Sequence, residues 1–364
     1  MNTRLTRQRI LIRLSWDGHR ITGVEITSGR LPHLTDLFEG RGEQDVLAML
    51  PRLFTLCGNA HSIAARHAFA LASGNTPAVT PREILTLLLE NLRESLFRIL
   101  LTWGSPDADG AARLTRPAGA LLARVSGAPA QVDLKRIRKD LERLRANVER
   151  EILGEDAADF LARDENALLA WMTRGATPAA RFLGTTLTCA LAETAIPPPL
   201  GREDLPKVEK ALDSREWRDY VLHPHVAGVP RHTAPGDRRA CRLPAPCGLF
   251  VRRLAALADT LHRLTRLPDD PHPATPLPAG GSMACVETAR GWLIHKVLLE
   301  SGKVRAYRIL APTEWNFHPR GIAYRLLKAI EGRDETRIAR LAGWLVLAID
   351  PCVDHKIELE AVHA

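Results

Sequence analysis

The sequence predicts an α+β protein, with a central bundle of long helices and small sheets built from its N- and C-terminal segments. Residues 9–28, RILIRLSWDGHRITGVEITS, alternate apolar and polar residues on both sides of Asp17-Gly18, a strong short-range hairpin signal. GWLIHKVLLE and KVRAYRIL repeat that alternation late in the chain, joined by Ser301-Gly302. Between the two hairpins lie apolar-periodic stretches too long for strands, which argues for helices.

In chain order, the first hairpin leads through the charged stretch FEGRGEQD into VLAMLPRLFTLCGNAHSIAARHAFALAS, helical on either side of a break at Cys57-Gly58. Thr80-Pro81 supplies an N-cap and a first-turn proline for a helix to about Trp103. Asp133 to Leu153 and Asp156 to Met172 continue in helical period. From Ile196 to Gly281 the composition shifts to proline, arginine and histidine, with IPPPL, HPHVAGVPRHTAPG and PDDPHPATPLPAGG as irregular connections around one helix, Phe250 to Leu267. The late hairpin closes on a turn at PTEWN, and helices near Ile322–Ile330 and Glu335–Ile349 bring the chain to Asp350. No internal repeat is present. Residues 1–364 are read as one domain, because chemistry-bearing residues near both ends must meet. Its segments are 1–76 (hairpin and first cysteine motif), 77–195 (helical middle), 196–282 (Pro/Arg-rich with one helix) and 283–364 (hairpin, PTEWN turn, helices and last cysteine motif).

With 364 residues, 45% of them hydrophobic, the chain can bury a substantial core. The longest apolar stretch, Ile84 to Leu101, is broken by Glu90, Arg93, Glu94 and Arg98, which excludes membrane insertion there. The arginine-bearing N-terminus lacks an apolar signal core, so a cytoplasmic location is the expectation. The formal charge of +8 invites a nucleic-acid reading, but only eight of the 50 basic residues are lysine. Most arginines alternate with acids, as in LKRIRKDLERLRANVERE, the pattern of a solvated helix face, so no nucleic-acid partner is expected. Six scattered cysteines lack the spacing of a disulfide scaffold and are expected to be reduced.

Three segments carry candidate chemistry. Cys57-Gly58 precedes His61, and a spacing of four puts Cys57 and His61 on one helix face. Asp350-Pro351-Cys352 is followed by His355; the proline ends a helix and leaves the thiol on a turn. Within CVETARGWLIH, Arg290-Gly291 enters a strand. Other signals read as structural: His223-Pro224-His225 as a solvated loop, Cys189 as core and Trp315 as a packing anchor. Cys241 and Cys247, with five residues between them, fit no standard finger spacing, whereas Cys285, two residues before Glu287, is a candidate auxiliary thiol.

In this order the segments resemble the large subunit of nickel-iron hydrogenases. Gly40-Arg41 and Cys57-Gly58-Asn59-Ala60 match that family's Gly-Arg turn and Cys-Gly-x-Cys, after a similar N-terminal hairpin. Glu287-Thr288-Ala289-Arg290-Gly291 matches Glu-Ala-Pro-Arg-Gly, and Pro312-Thr313-Glu314-Trp315-Asn316 matches Pro-Thr-x-Trp-Asn. Asp350-Pro351-Cys352 opens the closing Asp-Pro-Cys-x-x-Cys-x-x-His. The resemblance covers about residues 9–75 and 283–358. In the family, the first cysteine of each motif is a terminal nickel ligand, and the second bridges nickel to an iron carrying carbon monoxide and two cyanides. Here the first cysteines stand as Cys57 and Cys352, the bridging positions are Ala60 and His355, and the closing histidine is Glu358. The family's Arg-Ile-Glu-Gly-His opening is not recognisable in RQRILIRL.

A dinuclear site needs thiolates shared between two metals, and two terminal thiols can hold only one metal or one preformed fragment. At this level the chain resembles the shortened, large-subunit-like accessory proteins of the HupK/HoxV type. That resemblance implies a non-catalytic cytoplasmic scaffold in hydrogenase maturation, transiently holding the Fe(CN)2(CO) unit for the hydrogenase large-subunit precursor alongside other maturation proteins. It implies that Cys57 and Cys352 converge as ligands, with the N–H fork of Arg290 aimed at the iron-bound diatomics. An alternative is a metal-binding accessory protein in which Cys57, His61, Cys352 and His355 hold zinc or nickel tetrahedrally. Another is a metal-free structural relative, against which the retention of both cysteines counts. An active hydrogenase is set aside because both bridges are missing. Only LEAVHA follows Glu358, so the C-terminal cleavage known in the family is not expected.

Overall fold

The computed structural model describes residues 9–29, 32–103, 108–127, 134–189, 191–234, 243–266, 277–278 and 282–362. Cys241 and most of the proline-rich run 268–281 lie outside them. Strands β1 (Arg9–Trp16) and β2 (Ile21–Ser28) form the expected hairpin. Asp17 Oδ1 accepts from the backbone N–H of His19 and of Arg20, each at 2.9 Å, and so closes its turn. Helices α1 (Glu43–Leu53) and α2 (Gly58–Ala72) flank the break before Cys57. Helix α3 (Pro81–Thr102) opens on a capping box: the Thr80 hydroxyl accepts from Glu83 N, and the Glu83 carboxylate accepts from Thr80 N.

The helical middle continues as α4 (Ala108–Ser126), α5 (Leu134–Val148), α6 (Ala157–Ala162), α7 (Glu165–Arg174) and α8 (Pro178–Thr186). The single helix expected over Asp156–Met172 is two. Asp164 accepts from Ala167 N at 2.8 Å and starts a new helix, a local side-chain bond that competes with continuation of the first. Among its described residues, the region expected to hold one helix holds three: α9 (Leu205–Leu212), α10 (Trp217–Leu222) and α11 (Cys247–Arg266), with the short strands β3 (His225–Val226), β4 (Val229–Pro230) and β5 (Leu277–Pro278). α9 and α10 are too short to show a clear period and are held by burial of Leu205, Val208, Leu212, Trp217 and Tyr220 in one cluster.

Strands β6 (Met283–Thr288), β7 (Gly291–Glu300) and β8 (Lys303–Leu310) extend β5 into a four-stranded antiparallel sheet. PTEWN, expected as a turn, is the short helix α12 (Pro312–Asn316), followed by α13 (Ile322–Lys328), α14 (Glu335–Ile349) and β9 (Asp354–Ala361). β9 pairs in parallel with β1, His355 opposite Ile10 and Leu359 opposite Leu14, so early and late segments share one sheet, ordered β2-β1-β9. Ile10, Ile12 and Leu14 bury the inner face against Leu326, Leu341 and Leu345. The bundle core is built by Leu88, Leu92 and Leu96 of α3 with Phe250, Leu254 and Leu257 of α11. The four-stranded sheet packs Ala284, Val286 and Leu293 against α1 and α2, and Met283, Cys285 and Ile294 against α9 and α10. Among the described residues, no helix is long and apolar enough to cross a membrane.

Candidate functional site

Cys57 stands at the N-cap of α2, but its own side chain makes no capping bond. Glu90 of α3 does so instead, accepting from Asn59 N at 3.0 Å, Ala60 N at 2.9 Å and Asn59 Nδ2 at 2.9 Å. A buried carboxylate thereby satisfies the orphan N–H groups of the first turn. Burial pushes Glu90 up, and its bonds to Asn59 and Ala60 pull it part of the way back. Glu94 and Arg98 follow on the same face one and two turns later, so α3 turns a charged stripe toward the site.

Arg290 lies in the tight link from β6 to β7, where Thr288 Oγ1 accepts from Arg290 N at 3.2 Å and donates to Gly291 O at 2.8 Å. Its guanidinium is 4% exposed and spans two carboxylates, with Nη2 at 3.4 Å from Glu94 Oε2 and Nε at 3.2 Å from Asp350 Oδ2. Burial works against its charge, but Asp350, then Cys352, Glu94 and Cys57, outweigh it and raise its pKa above the ordinary value. Among the described residues, Arg290 Nη1 has no hydrogen-bond partner. A buried donor left that way costs about 1–3 kcal/mol.

Asp350 ends α14 at φ 62° and gathers three guanidinium groups: Arg98 Nε at 2.5 Å, Arg253 Nη1 at 3.1 Å and Arg290 Nε at 3.2 Å. Burial alone would push its carboxyl up, yet Arg290, Arg253 and Arg98 together hold it below the usual carboxylate range. Two residues on, Cys352 Sγ accepts from Thr313 Oγ1 at 2.9 Å, and Cys352 N donates to the same oxygen at 3.2 Å. Asn316, at the other end of α12, pairs with both backbone groups of Thr233 at 2.9 and 2.8 Å, while Thr233 Oγ1 accepts from Trp292 N at 2.9 Å. The PTEWN helix therefore ties the Cys352 turn to the strand that follows Arg290.

Cys57, His61, Arg290 and Cys352 line one cavity of about 120 Å³. Burial pushes the Cys57 thiol well up, Cys352 and Glu90 adding to the effect and Arg290 opposing it. The His61 ring stacks on Phe54 at 3.9 Å, and its Nδ1 shares a 2.9 Å hydrogen bond with His295 Nε2; His295 Nδ1 in turn pairs with Tyr307 Oη at 2.7 Å. His355 is not part of the cavity wall. It sits on β9 opposite Ile10, and burial, then Arg98, lowers its pKa. Among the described residues, no three or more His, Cys, Asp or Glu side chains are arranged to hold a metal ion. Cys285, a candidate auxiliary thiol by its place in the sequence, is core: strand alternation turns it to the face of β6 that packs on Trp217, away from the cavity. Cys189, Cys247 and Trp315 are buried, the first and last as expected.

Sequence reasoning missed Glu90, Glu94, Arg98, Arg253 and Thr313. The first three had a signal, since charges spaced by four inside an apolar helix point to a buried polar partner. Thr313 lay unassigned within a recognised motif, and Arg253 had none, being one arginine among many on an amphipathic helix.

No protein-family model matches the chain. The hydrogenase expression/formation protein HupV of Azotobacter chroococcum is 31% identical over 354 residues, covering 92% of each chain. HupK of Rhizobium leguminosarum, described in the same words, is 32% identical over 92% of each. HoxV of Cupriavidus necator, again a hydrogenase expression/formation protein, is 29% identical over 97% of this chain and 98% of its own. Among solved structures, a chain of the [NiFeSe] hydrogenase of Desulfovibrio vulgaris Hildenborough superposes with TM-score 0.60 at 16% identity, covering 93% of this chain and 94% of that one. The corresponding chain from Desulfomicrobium baculatum gives 0.56 at 12% identity, covering 93% and 95%. The fold is that of the nickel-iron hydrogenase large subunit.

Proposed function

This chain belongs to the family of hydrogenase expression/formation proteins that includes HupK, HupV and HoxV, and on that premise we propose that it serves hydrogenase maturation as a non-catalytic carrier. Its cargo is one iron bearing two cyanides and a carbonyl, Fe(CN)2(CO), held between Cys57 and Cys352 and passed to the hydrogenase large-subunit precursor. The setting is the cytoplasm, where thiols stay reduced and the other maturation proteins work.

One observation carries this reading. Two thiols and a buried guanidinium with an unpartnered Nη1 meet at a single cavity. A cyanide nitrogen is an acceptor that would satisfy that donor, while soft thiolates suit the iron. Ala60 and His355 in place of the bridging thiols leave no second metal anchored, which suits a carrier that must release its load.

The test is infrared spectroscopy of the protein purified from cells with the complete iron-cofactor assembly machinery. Cyanide and carbonyl stretches are expected, and they should vanish in Cys57→Ser and in Cys352→Ser. Their absence from the wild-type protein rules out the carrier. Stoichiometric zinc or nickel, found with or without that machinery, would instead support the ligand set Cys57, His61, Cys352 and His355.

A further inference from the structure

We propose that Arg253 is a positioning residue for the site, setting the direction of the Cys352 thiol without touching the cavity. The inference rests on the carrier reading only for its purpose; the geometry stands independently. α14 ends at Asp350 in a left-handed backbone conformation, φ 62° and ψ 80°, which a side-chain-bearing residue rarely adopts. Something must hold it there, because the two residues that follow deliver Cys352.

Arg253 reaches in from α11 and spends its whole guanidinium on that turn. Nε donates to Ala348 O, Nη2 donates to Ile349 O at 2.6 Å, and Nη1 meets Asp350 Oδ2 at 3.1 Å. Ala348 O and Ile349 O are carbonyls that the end of a helix leaves without partners, and one planar fork closes them together with the Asp350 carboxylate. Burial pushes Arg253 down to about 10, Asp350 opposing, so it stays charged at neutral pH. Arg98 completes the clamp from α3, with Nε at 2.5 Å from Asp350 Oδ1 and Nη2 at 3.4 Å from Pro351 O. Cys352 is thereby fixed from its N-terminal side by arginines and from its own sulfur by Thr313. Lysine could not replace Arg253, since one ammonium on a flexible stem does not span three acceptors in a plane.

The test uses the full chain and dibromobimane, which fluoresces strongly only after both arms have alkylated thiols. Each arm loses bromide as its carbon bonds to sulfur, and the thiol proton goes to solvent. The wild type is expected to cross-link Cys57 to Cys352, and Cys57→Ser or Cys352→Ser to lose that product. Arg253→Ala should lower the yield at a fixed short reaction time by up to about a hundredfold, as expected when a reacting group is misplaced by roughly an ångström. Added methylguanidinium should restore it, which a general loss of folding would not allow. Should Arg253→Ala fail to fold, Arg253→Lys carries the test and is expected to show the loss. Wild-type yield in a folded Arg253→Ala or in Arg253→Lys overturns the proposal, as does a wild-type chain that does not cross-link. Missing cyanide bands would end the carrier reading and leave this assay intact; undiminished cross-linking would end the role of Arg253 and leave the carrier standing.

Discussion

At Asp350 two effects oppose each other, and their sizes decide between them. A left-handed backbone costs a residue with a β-carbon about 1–2 kcal/mol, so glycine would relieve strain there. Glycine would also remove the carboxylate that faces Arg98, Arg253 and Arg290, and breaking a buried ion pair on one side costs about 3–5 kcal/mol. The second effect wins, so both Asp350→Gly and Asp350→Asn should destabilise the protein, Asn by more. The pH dependence follows from the sign of the shift. The carboxyl is held below its ordinary range, so its contribution is fully present above the unfolded value of about 3.9 and is lost as pH falls through the lower folded value. The gap between wild type and Asp350→Asn in urea unfolding should therefore stay constant from pH 6 to pH 8, about 3 kcal/mol, and narrow only below about pH 4. A gap that shrinks near neutrality would assign the effect to another group.

Among the elements, the two turns around β7 look alike in sequence and differ in what surrounds them. Ser301-Gly302 is a local device: Gly302 has φ 75°, and a β-carbon there would meet nothing within 4 Å. Gly291 has φ 119°, and its β-carbon would fall 2.3 Å from Thr233 Oγ1 and 2.9 Å from the Thr233 carbonyl carbon. Gly302→Ala should thus cost about 1 kcal/mol of backbone strain, whereas Gly291→Ala should cost roughly 3 kcal/mol or more by adding overpacking against the segment that Asn316 latches. Urea midpoints compare the two, and equal losses would mean that Thr233 yields freely. The same contrast explains which elements were legible. Hairpins, the Thr80 cap and the long helices announce themselves within a few residues. β9 does not, because DHKIELEA alternates charges on an exposed edge and its partner β1 lies at the other end of the chain, in a parallel pairing that no local turn signals. The helix break at Arg163 was equally hidden, since Asp164 acts as a cap only once Ala167 N is placed above it.

For the molecule as a whole, Cys57, Cys352 and Arg290 could be picked out because their segments, each weak alone, stand in the order of the hydrogenase large subunit, whereas the clamp on them belongs to no such motif. Arg253 is defined by Asp350, 97 residues away, and Arg290 by Glu94, 196 residues away, so only the folded chain assigns them a role. The same long-range wiring bears on cooperativity. The ion pairs at the site join α3, α11, the β6–β7 link and the end of α14, and the β1–β9 ladder joins the first described strand to the last. Losing any one of these elements would strand buried charges in the others, each at several kcal/mol, which disfavours partly folded forms. Unfolding in urea is therefore expected as one transition, with tryptophan fluorescence, far-ultraviolet circular dichroism and the alkylation of Cys57 and Cys352 superimposing. Trp103 and Trp171 report on the bundle, and Trp315 on the far face of the sheet. If thiol exposure preceded the loss of helix signal by a separate transition, the site would be a labile rim on a stable bundle, and the one-domain organisation expected for residues 1–364 would have to be replaced by two folding units meeting at the cavity.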